Sequence, residues 1–101
     1  MTNTVIETVT FKLAEGVEDS AFEATFPALE AFTESQKGFI ARRFSKGEDG
    51  TWLDHIEWSS LQDAQAASEN FMQTESIKPF MQCVDGSSVQ MSHNQLIVSM
   101  G

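Results

Sequence analysis

Three features of the sequence predict an α+β fold built on one antiparallel sheet. Side chains of alternating polarity predict strands at residues 4–13, 51–58 and 88–98. Residues 39–46 form another such segment, and the Asp-Gly pair at 49–50 that follows is typical of a hairpin turn. The second and third strands should therefore be antiparallel neighbours. Apolar side chains spaced three and four residues apart predict helices in the remaining stretches.

The first strand places Val5, Glu7, Val9 and Phe11 on one face, because side chains alternate across a sheet. A turn at residues 14–19 follows, in which Gly16 accommodates a positive φ.

The first helix is predicted from a single apolar stripe formed by Phe22, Phe26, Leu29 and Phe32. Asp19 or Ser20 would cap it. A proline at position 27 lies within this pattern and predicts either a kink or a helix that begins just before it. Gly38 is the expected stop.

The second strand should place Ile40 and Phe44 on one face, and Phe39, Ala41 and Arg43 on the other.

The third strand has apolar and titratable side chains on both of its faces. One face carries Trp52, Asp54, Ile56 and Trp58, and the other carries Leu53, His55 and Glu57. A sheet with one solvated face normally concentrates its large apolar groups on the other. We therefore expect both faces to be covered, one by the chain's own helices and the other by a partner subunit.

The second half of the chain completes the pattern. Ser59 or Ser60 would cap a helix whose buried stripe consists of Leu61, Ala64, Ala67 and Phe71. A break at residues 73–76 precedes a short helical piece at 77–84, and the last strand follows. The order β-α-β-β-α-β is that of the ferredoxin-like fold. Its helices cover one face of the sheet, so a homodimer packed sheet against sheet would cover the other.

Length and composition restrict the class of protein. The 101 residues suffice for one domain, 1–101, and the 41% hydrophobic content with eight Phe indicates a folded core. Six basic and fifteen acidic residues give a net charge of −9, which opposes binding to nucleic acid and to anionic membranes. No signal peptide or membrane-spanning run is visible. The single cysteine, Cys83, excludes an intrachain disulfide and fits a reducing cytoplasm.

Four short motifs occur in an order that resembles a known family. They are Leu-Ala-Glu-Gly-Val at 13–17, Gly-Phe-Ile at 38–40, Trp-Ser-Ser-Leu at 58–61, and Phe71-Met with the later Pro79-Phe. In this order they resemble the antibiotic-biosynthesis-monooxygenase-like domains of the dimeric α+β barrel superfamily, over nearly the whole chain. The resemblance implies a homodimer with a pocket between helices and sheet. Some members are cofactor-independent oxygenases of polyphenolic rings, some degrade haem, and many have no assigned activity.

Particular residues limit what the resemblance implies. Trp58 matches the tryptophan that lines the pocket of the haem-degrading members. Their iron-binding histidine has no counterpart between Trp58 and Ser92, and Val9 stands about where their pocket asparagine should be. Haem degradation by that route is therefore not expected, and no cofactor or metal is predicted. The polyphenol oxygenases favour pocket Tyr, Asn and Trp, whereas this sequence contains no Tyr.

One candidate site centres on His55, since histidine titrates near neutral pH. His55 shares a face with Glu57, and the neighbouring first strand would supply Glu7. A histidine flanked by carboxylates would serve as a general base, or would join His93 in a mixed N/O metal site. The alternative is that Glu7, Arg43, Glu57 and His93 form a polar cluster that stabilises a dimer interface.

The second candidate lies on the opposite face, where Asp54 stands between Trp52 and Ile56 near Trp58. A carboxylate beside two indoles would have a raised pKa and serve as a base. The alternative is an Asp54 paired with Arg42 or with a backbone group. Trp52 and Trp58 would hold a flat aromatic ligand, or would simply be core.

The sequence thus predicts a monooxygenase-like homodimer that binds a small aromatic or apolar molecule. Trp52 and Trp58 would hold the ring, and Asp54 or His55 would remove a phenolic proton so that the ring reacts with oxygen. The competing hypothesis is a non-catalytic binding or stress-associated homodimer of the same fold.

Overall fold

The structure is a computed structural model that describes residues 3–101. Its sheet contains β1 (Val5–Phe11), β2 (Phe39–Lys46), β3 (Trp52–Trp58) and β4 (Gln90–Gln95) in the order β2-β3-β1-β4, with every pair antiparallel. The helices are α1 (Asp19–Glu23), α2 (Phe26–Glu34), α3 (Leu61–Gln73) and α4 (Lys78–Gln82). Short 3-10 turns occur at Glu75–Ile77 and Gly86–Ser88. This is the predicted ferredoxin-like topology.

The central strands β1 and β3 direct their predicted faces toward the helices. Val5, Glu7 and Phe11 are buried on β1, as are all four residues of the predicted β3 face. Phe22 of α1 is fully buried, and its ring meets those of Phe11 and Trp52 edge to face at centroid distances of 5.7 and 5.0 Å. Such edge-to-face pairs add to the stabilisation from burial alone.

Pro27 divides the predicted first helix into two. It lies in the first turn of α2, where its missing N–H is not needed, so the second helix begins just before it, at Phe26. The expected caps for α1 are wrong, because Glu18 occupies the N-cap and its side chain makes no capping bond. Ser60 caps α3 as predicted, accepting a hydrogen bond from the Asp63 N–H at 3.1 Å.

A β-bulge in β2 makes the predicted faces of Phe39 and Ile40 wrong, whereas Phe44 does lie opposite Ala41 and Arg43. Phe39 pairs with Trp58 and Ala41 with Glu57, so Ile40 is the extra residue. The bulge shifts the alternation by one position. It places Phe39 on the helix-covered face, together with Arg42 and Phe44, while Ile40 is 49% exposed.

The last strand is shorter than predicted and ends at Gln95. The Leu96 N–H still donates to the Thr4 carbonyl at 2.8 Å, but the following residues form no strand. Ile97, Val98 and Met100 are strongly exposed. Within residues 3–101, no helix has the length and apolar character required to cross a bilayer.

A buried ion pair joins β2, β3 and α2. Arg42 donates from Nε to Asp54 Oδ1 at 3.0 Å and from Nη2 to Oδ2 at 2.7 Å. Its Nη1 donates to the Thr33 hydroxyl at 2.8 Å, and that hydroxyl donates to the Leu29 carbonyl at 2.7 Å. The guanidinium therefore connects an edge strand to a central strand and to the helix above them.

We expect Gly38→Ala to destabilise the fold more than Gly50→Ala. Both glycines have positive φ, +83° and +85°, which disfavours any L side chain. A Cβ at position 38 would also collide with the side chains of Asp63 and Ser59, whereas a Cβ at position 50 meets nothing within 4 Å. Urea unfolding should show a loss of about 1–2 kcal/mol for Gly50→Ala and a clearly larger one for Gly38→Ala. Equal losses would contradict this account.

Arg42→Met should lower the free energy of unfolding at pH 7 by about 3–5 kcal/mol, because it leaves a buried carboxylate unpaired. Asp54 protonates more readily when buried, so the loss should shrink as the pH falls toward 4 and grow as it rises. The control is Arg43→Met, since the Arg43 side chain is 69% exposed and 3.6 Å from Glu57. That variant should lose less than about 1 kcal/mol. Denaturation at several pH values measures both, and similar losses in the two variants would refute the role of Arg42.

Candidate functional site

A cavity of about 270 Å³ lies between the helices and the helix-covered face of the sheet. Its space arises because α3 presents small residues to the sheet, of which Ala64 is fully buried and Ala67 is 4% exposed. Exposed residues on its wall, Met81, Val89 and Met91, place its mouth beside the edge strand β4. The remaining wall is largely apolar and contains four polar groups of interest, Glu7, Thr33, Arg42 and Asp54.

The Asp54 carboxylate forms part of this wall in its bidentate pair with Arg42. Burial raises the pKa of Asp54 above the usual aspartate value, and the Arg42 guanidinium opposes that rise. This confirms the alternative prediction that Asp54 is paired with Arg42. The cavity consequently contains a desolvated dipole whose positive end, Arg42, is also held by Thr33.

A second ionisable group on the wall is Glu7, which is 6% exposed. His93 Nε2 on β4 lies 3.2 Å from Glu7 Oε1. Burial raises the pKa of Glu7, and the hydrogen bond and charge of His93 act in the opposite direction.

Trp58 is the aromatic residue of the predicted pair that lines the cavity. It is 3% exposed, and its ring meets that of Phe39 edge to face at 5.9 Å. Its indole Nε1 has no hydrogen-bond partner among the described residues. The indole Nε1 of Trp52 also lacks a partner, so this feature does not distinguish Trp58.

Trp52 lies outside the cavity wall, so its predicted role in holding the same ring is not supported by its position. It packs in the core beneath Phe22, and the Lys46 ammonium lies 5.8 Å from its ring centroid. The reason is local, because α1 covers this end of β3 with Phe22. Trp52 therefore acts as a core residue.

His55 lies on the opposite, open face of the sheet and does not line the cavity. Its Nε2 is 3.7 Å from Glu57 Oε1, and Arg43 Nη1 lies 3.6 Å from the same oxygen. The Nε2 atom is buried and has no hydrogen-bond partner among the described residues. His55 is therefore not placed to act as a base on a ligand in the cavity of its own protomer.

The predicted polar cluster is divided between the two faces. Arg43 and Glu57 accompany His55 on the open face, whereas Glu7 and His93 pair on the helix-covered face. The strand register explains this, since Thr8 pairs with His55. A metal site built on His55 and His93 together is wrong for the same reason. Within residues 3–101, no group of three or more His, Cys, Asp and Glu side chains could hold a metal ion.

Sequence reasoning missed the place of Arg42, which entered only as a possible partner of Asp54. Alternation does put Arg42 on the face of Phe44, since the strand register is regular from Ala41 onward. The Glu7 signal was present, because a carboxylate between Val5, Val9 and Phe11 lies on an otherwise apolar face.

Comparison with solved structures gives likenesses of fold that extend over nearly the whole chain. A candidate antibiotic biosynthesis monooxygenase from Bordetella bronchiseptica has a TM-score of 0.79 and 13% identity, covering 96% of this chain and 100% of that one. SnoaB, a cofactor-independent oxygenase from Streptomyces nogalater, has a TM-score of 0.67 and 14% identity, with coverages of 99% and 97%. A dimeric ferredoxin-like protein of unknown function from Thermobifida fusca has a TM-score of 0.72 and 8% identity, with coverages of 95% and 93%.

No family sequence profile and no curated protein sequence matches this chain. At identities this low, the structural likenesses show a shared fold. The chain therefore has the ferredoxin-like α+β fold that these monooxygenase-like proteins have.

Proposed function

We propose that this protein is a monooxygenase-like enzyme that binds a small aromatic compound beside Trp58 and oxidises it without a bound metal or flavin. The observation that supports this is the apolar cavity of about 270 Å³, which is lined by Trp58 and by the buried ionisable groups of Glu7 and Asp54. Its volume is near the lower end of the range for ligand sites, about 300–1,000 Å³. It exceeds the ~150 Å³ cavity that accepts benzene, so a ring system of two or three fused rings is the appropriate size.

The residues on the wall have separable roles in this proposal. The aromatic side chains of Trp58, Phe71 and Phe80 would contact the ring. The Asp54–Arg42 pair would orient a polar substituent through electrostatic attraction. Met81 and Met91, which are flexible side chains at the mouth, would adapt to the ligand as it enters.

A reaction without a redox cofactor requires a substrate that supplies its own electrons to oxygen. A hydroxylated ring with an adjacent methylene group satisfies this condition once it has lost a proton. One oxygen atom of O₂ enters the methylene carbon as a carbonyl group, and the other leaves as water with the two methylene hydrogens. SnoaB, which has the same fold, is a cofactor-independent oxygenase, and this supports a reaction of that kind.

The alternative function is a non-catalytic homodimer that binds such a ligand or simply assembles. The open face of the sheet favours dimerisation in either case, since it carries Leu53, which is 36% exposed, and the unpartnered His55 Nε2. The Thermobifida fusca protein of the same fold is described as dimeric. Oxygen consumption with a hydroxylated ring compound separates the alternatives. If Asp54→Asn remains a dimer but loses turnover, the enzyme is favoured. If His55→Ala dissociates the dimer and has no other effect, the non-catalytic assembly is favoured.

Ligand binding should perturb the Trp58 indole and leave the Trp52 indole unchanged. In ¹H–¹⁵N spectra titrated with 2-naphthol, the Nε1 signal of Trp58 should shift because the ligand ring packs against its indole, while Trp52 serves as an internal control in the core. Trp58→Phe should weaken the affinity roughly 2- to 12-fold, because it removes part of an aromatic contact. Trp52→Phe should not alter it. No shift in either signal, or equal shifts in both, would contradict the proposed site.

Leu53→Lys should dissociate the proposed homodimer, because it would place a charge on the sheet face that the dimer would bury. Met72→Lys is the matched control, since Met72 is 67% exposed on α3 and the same charge is added. Light scattering coupled to size-exclusion chromatography measures the mass of each variant. We expect a dimer for the parent protein and for Met72→Lys, and a monomer for Leu53→Lys. A monomeric parent protein would refute the assembly.

A further inference from the structure

Glu7 and His93 form an ionisable pair that extends from the cavity to the outer surface. Glu7 lines the cavity from the central strand β1. His93 lies on the edge strand β4 and lines a separate surface depression, together with Ser60, Leu61 and Gln62 at the start of α3. The 3.2 Å contact between His93 Nε2 and Glu7 Oε1 connects these two spaces.

The charges around Glu7 come from the three other strands of the sheet. Asp54 on β3 and Arg42 on β2 act on it from the cavity wall, and His93 acts from β4. The α3 residues on this wall, Ala64, Ala67, Ser68 and Phe71, carry no titratable group. Burial raises the pKa of Glu7, and the hydrogen bond and charge of His93 act to lower it.

Glu7 is better suited than Asp54 to accept a proton from a ligand. Asp54 uses both carboxylate oxygens on the Arg42 guanidinium, so protonating it would break two charge-assisted hydrogen bonds. His93 engages Glu7 through Oε1. The Glu7 carboxylate also has a raised pKa, which brings its basicity closer to that of a phenolic oxygen.

We infer that Glu7 is the proton acceptor of the cavity and recognises ring ligands through an acidic hydroxyl group, with His93 as its positioning residue. This inference rests on the proposed function and assigns the residue that recognises the hydroxyl group of the ligand. The ligand hydroxyl donates a hydrogen bond to Glu7 Oε2. An aromatic ring without a free hydroxyl group fills the same space but lacks this contact.

The same arrangement accounts for the ligand proton. The ligand O–H bond breaks, its electron pair stays on the ligand oxygen, and the proton moves to Oε2 of the Glu7 carboxylate. The other carboxylate oxygen, Oε1, keeps its contact with His93 Nε2. The ring remains in the cavity as a phenolate, on the wall that also contains the Arg42 guanidinium.

The test compares the affinities for 2-naphthol and for 2-methoxynaphthalene between pH 4 and 8, by fluorescence titration. The hydroxyl compound should bind roughly 10- to 150-fold more tightly at pH 8, because its donor meets an ionised carboxylate. This preference should diminish as the pH falls through the pKa of Glu7. Glu7→Gln should make the preference smaller and independent of pH. His93→Leu should retain it at pH 8 but move its midpoint to higher pH, since His93 lowers the pKa of Glu7.

The outcomes distinguish failure of this inference from failure of the proposed function on which it rests. If neither probe binds the parent protein, the proposed ligand site itself is refuted. If both probes bind with equal affinity at every pH, the ligand site stands and the role of Glu7 is overturned. A pH-dependent preference that persists unchanged in Glu7→Gln would also overturn that role. The parent protein's own pH profile remains decisive if a variant fails to fold.

Discussion

The buried ion pair between Arg42 and Asp54 is the constraint on which the cavity depends. It holds the edge strand β2 against β3, and through Thr33 it holds α2 above both. A buried pair of this kind contributes little net stability compared with apolar residues of the same volume, because desolvation offsets the attraction. Its effect in the cavity is electrostatic. It fixes two charges of opposite sign on a wall that is largely apolar.

The second constraint is the small size of the α3 residues that face the sheet. Ala64, Ala67 and Ser68 leave space that larger side chains would fill. Empty apolar volume is costly in a protein core, at about 24 cal/mol per Å³. The proposed binding of a ring ligand would account for such a cavity beside Trp58 and Glu7. Its mouth beside β4 also explains why exposed methionines and a valine gather at that edge.

Much of the fold could be predicted because local patterns determine it. Alternation identified the buried faces of β1 and β3, and proline and serine positions identified helix starts. The bulge at Ile40 could not be predicted, since the extra residue is defined only by pairing with the partner strand. The two tryptophans illustrate the same limit for the site. Trp52 and Trp58 are equivalent by alternation, but Phe22, about thirty residues earlier in the chain, covers only the first of them.

The polar residues show how strand register determines which residues meet. Placing Glu7 with His55 required only that β1 and β3 be neighbours, and they are. The register places Thr8 opposite His55, however, which turns Glu7 to the other face. There it meets His93, which is eighty-six residues away in the chain. Sequence spacing contains no information on a contact of that range.

The most direct test of the central claim is a crystal structure of the protein soaked with 2-naphthol. The account predicts electron density for the ring in the cavity beside Trp58, with its hydroxyl oxygen within hydrogen-bonding distance of Glu7. It would be contradicted by a cavity filled by the side chains of Phe71, Phe80 and Met81, with the ring absent or bound on the open face of the sheet. In that case the protein would be a structural dimer without a ligand site.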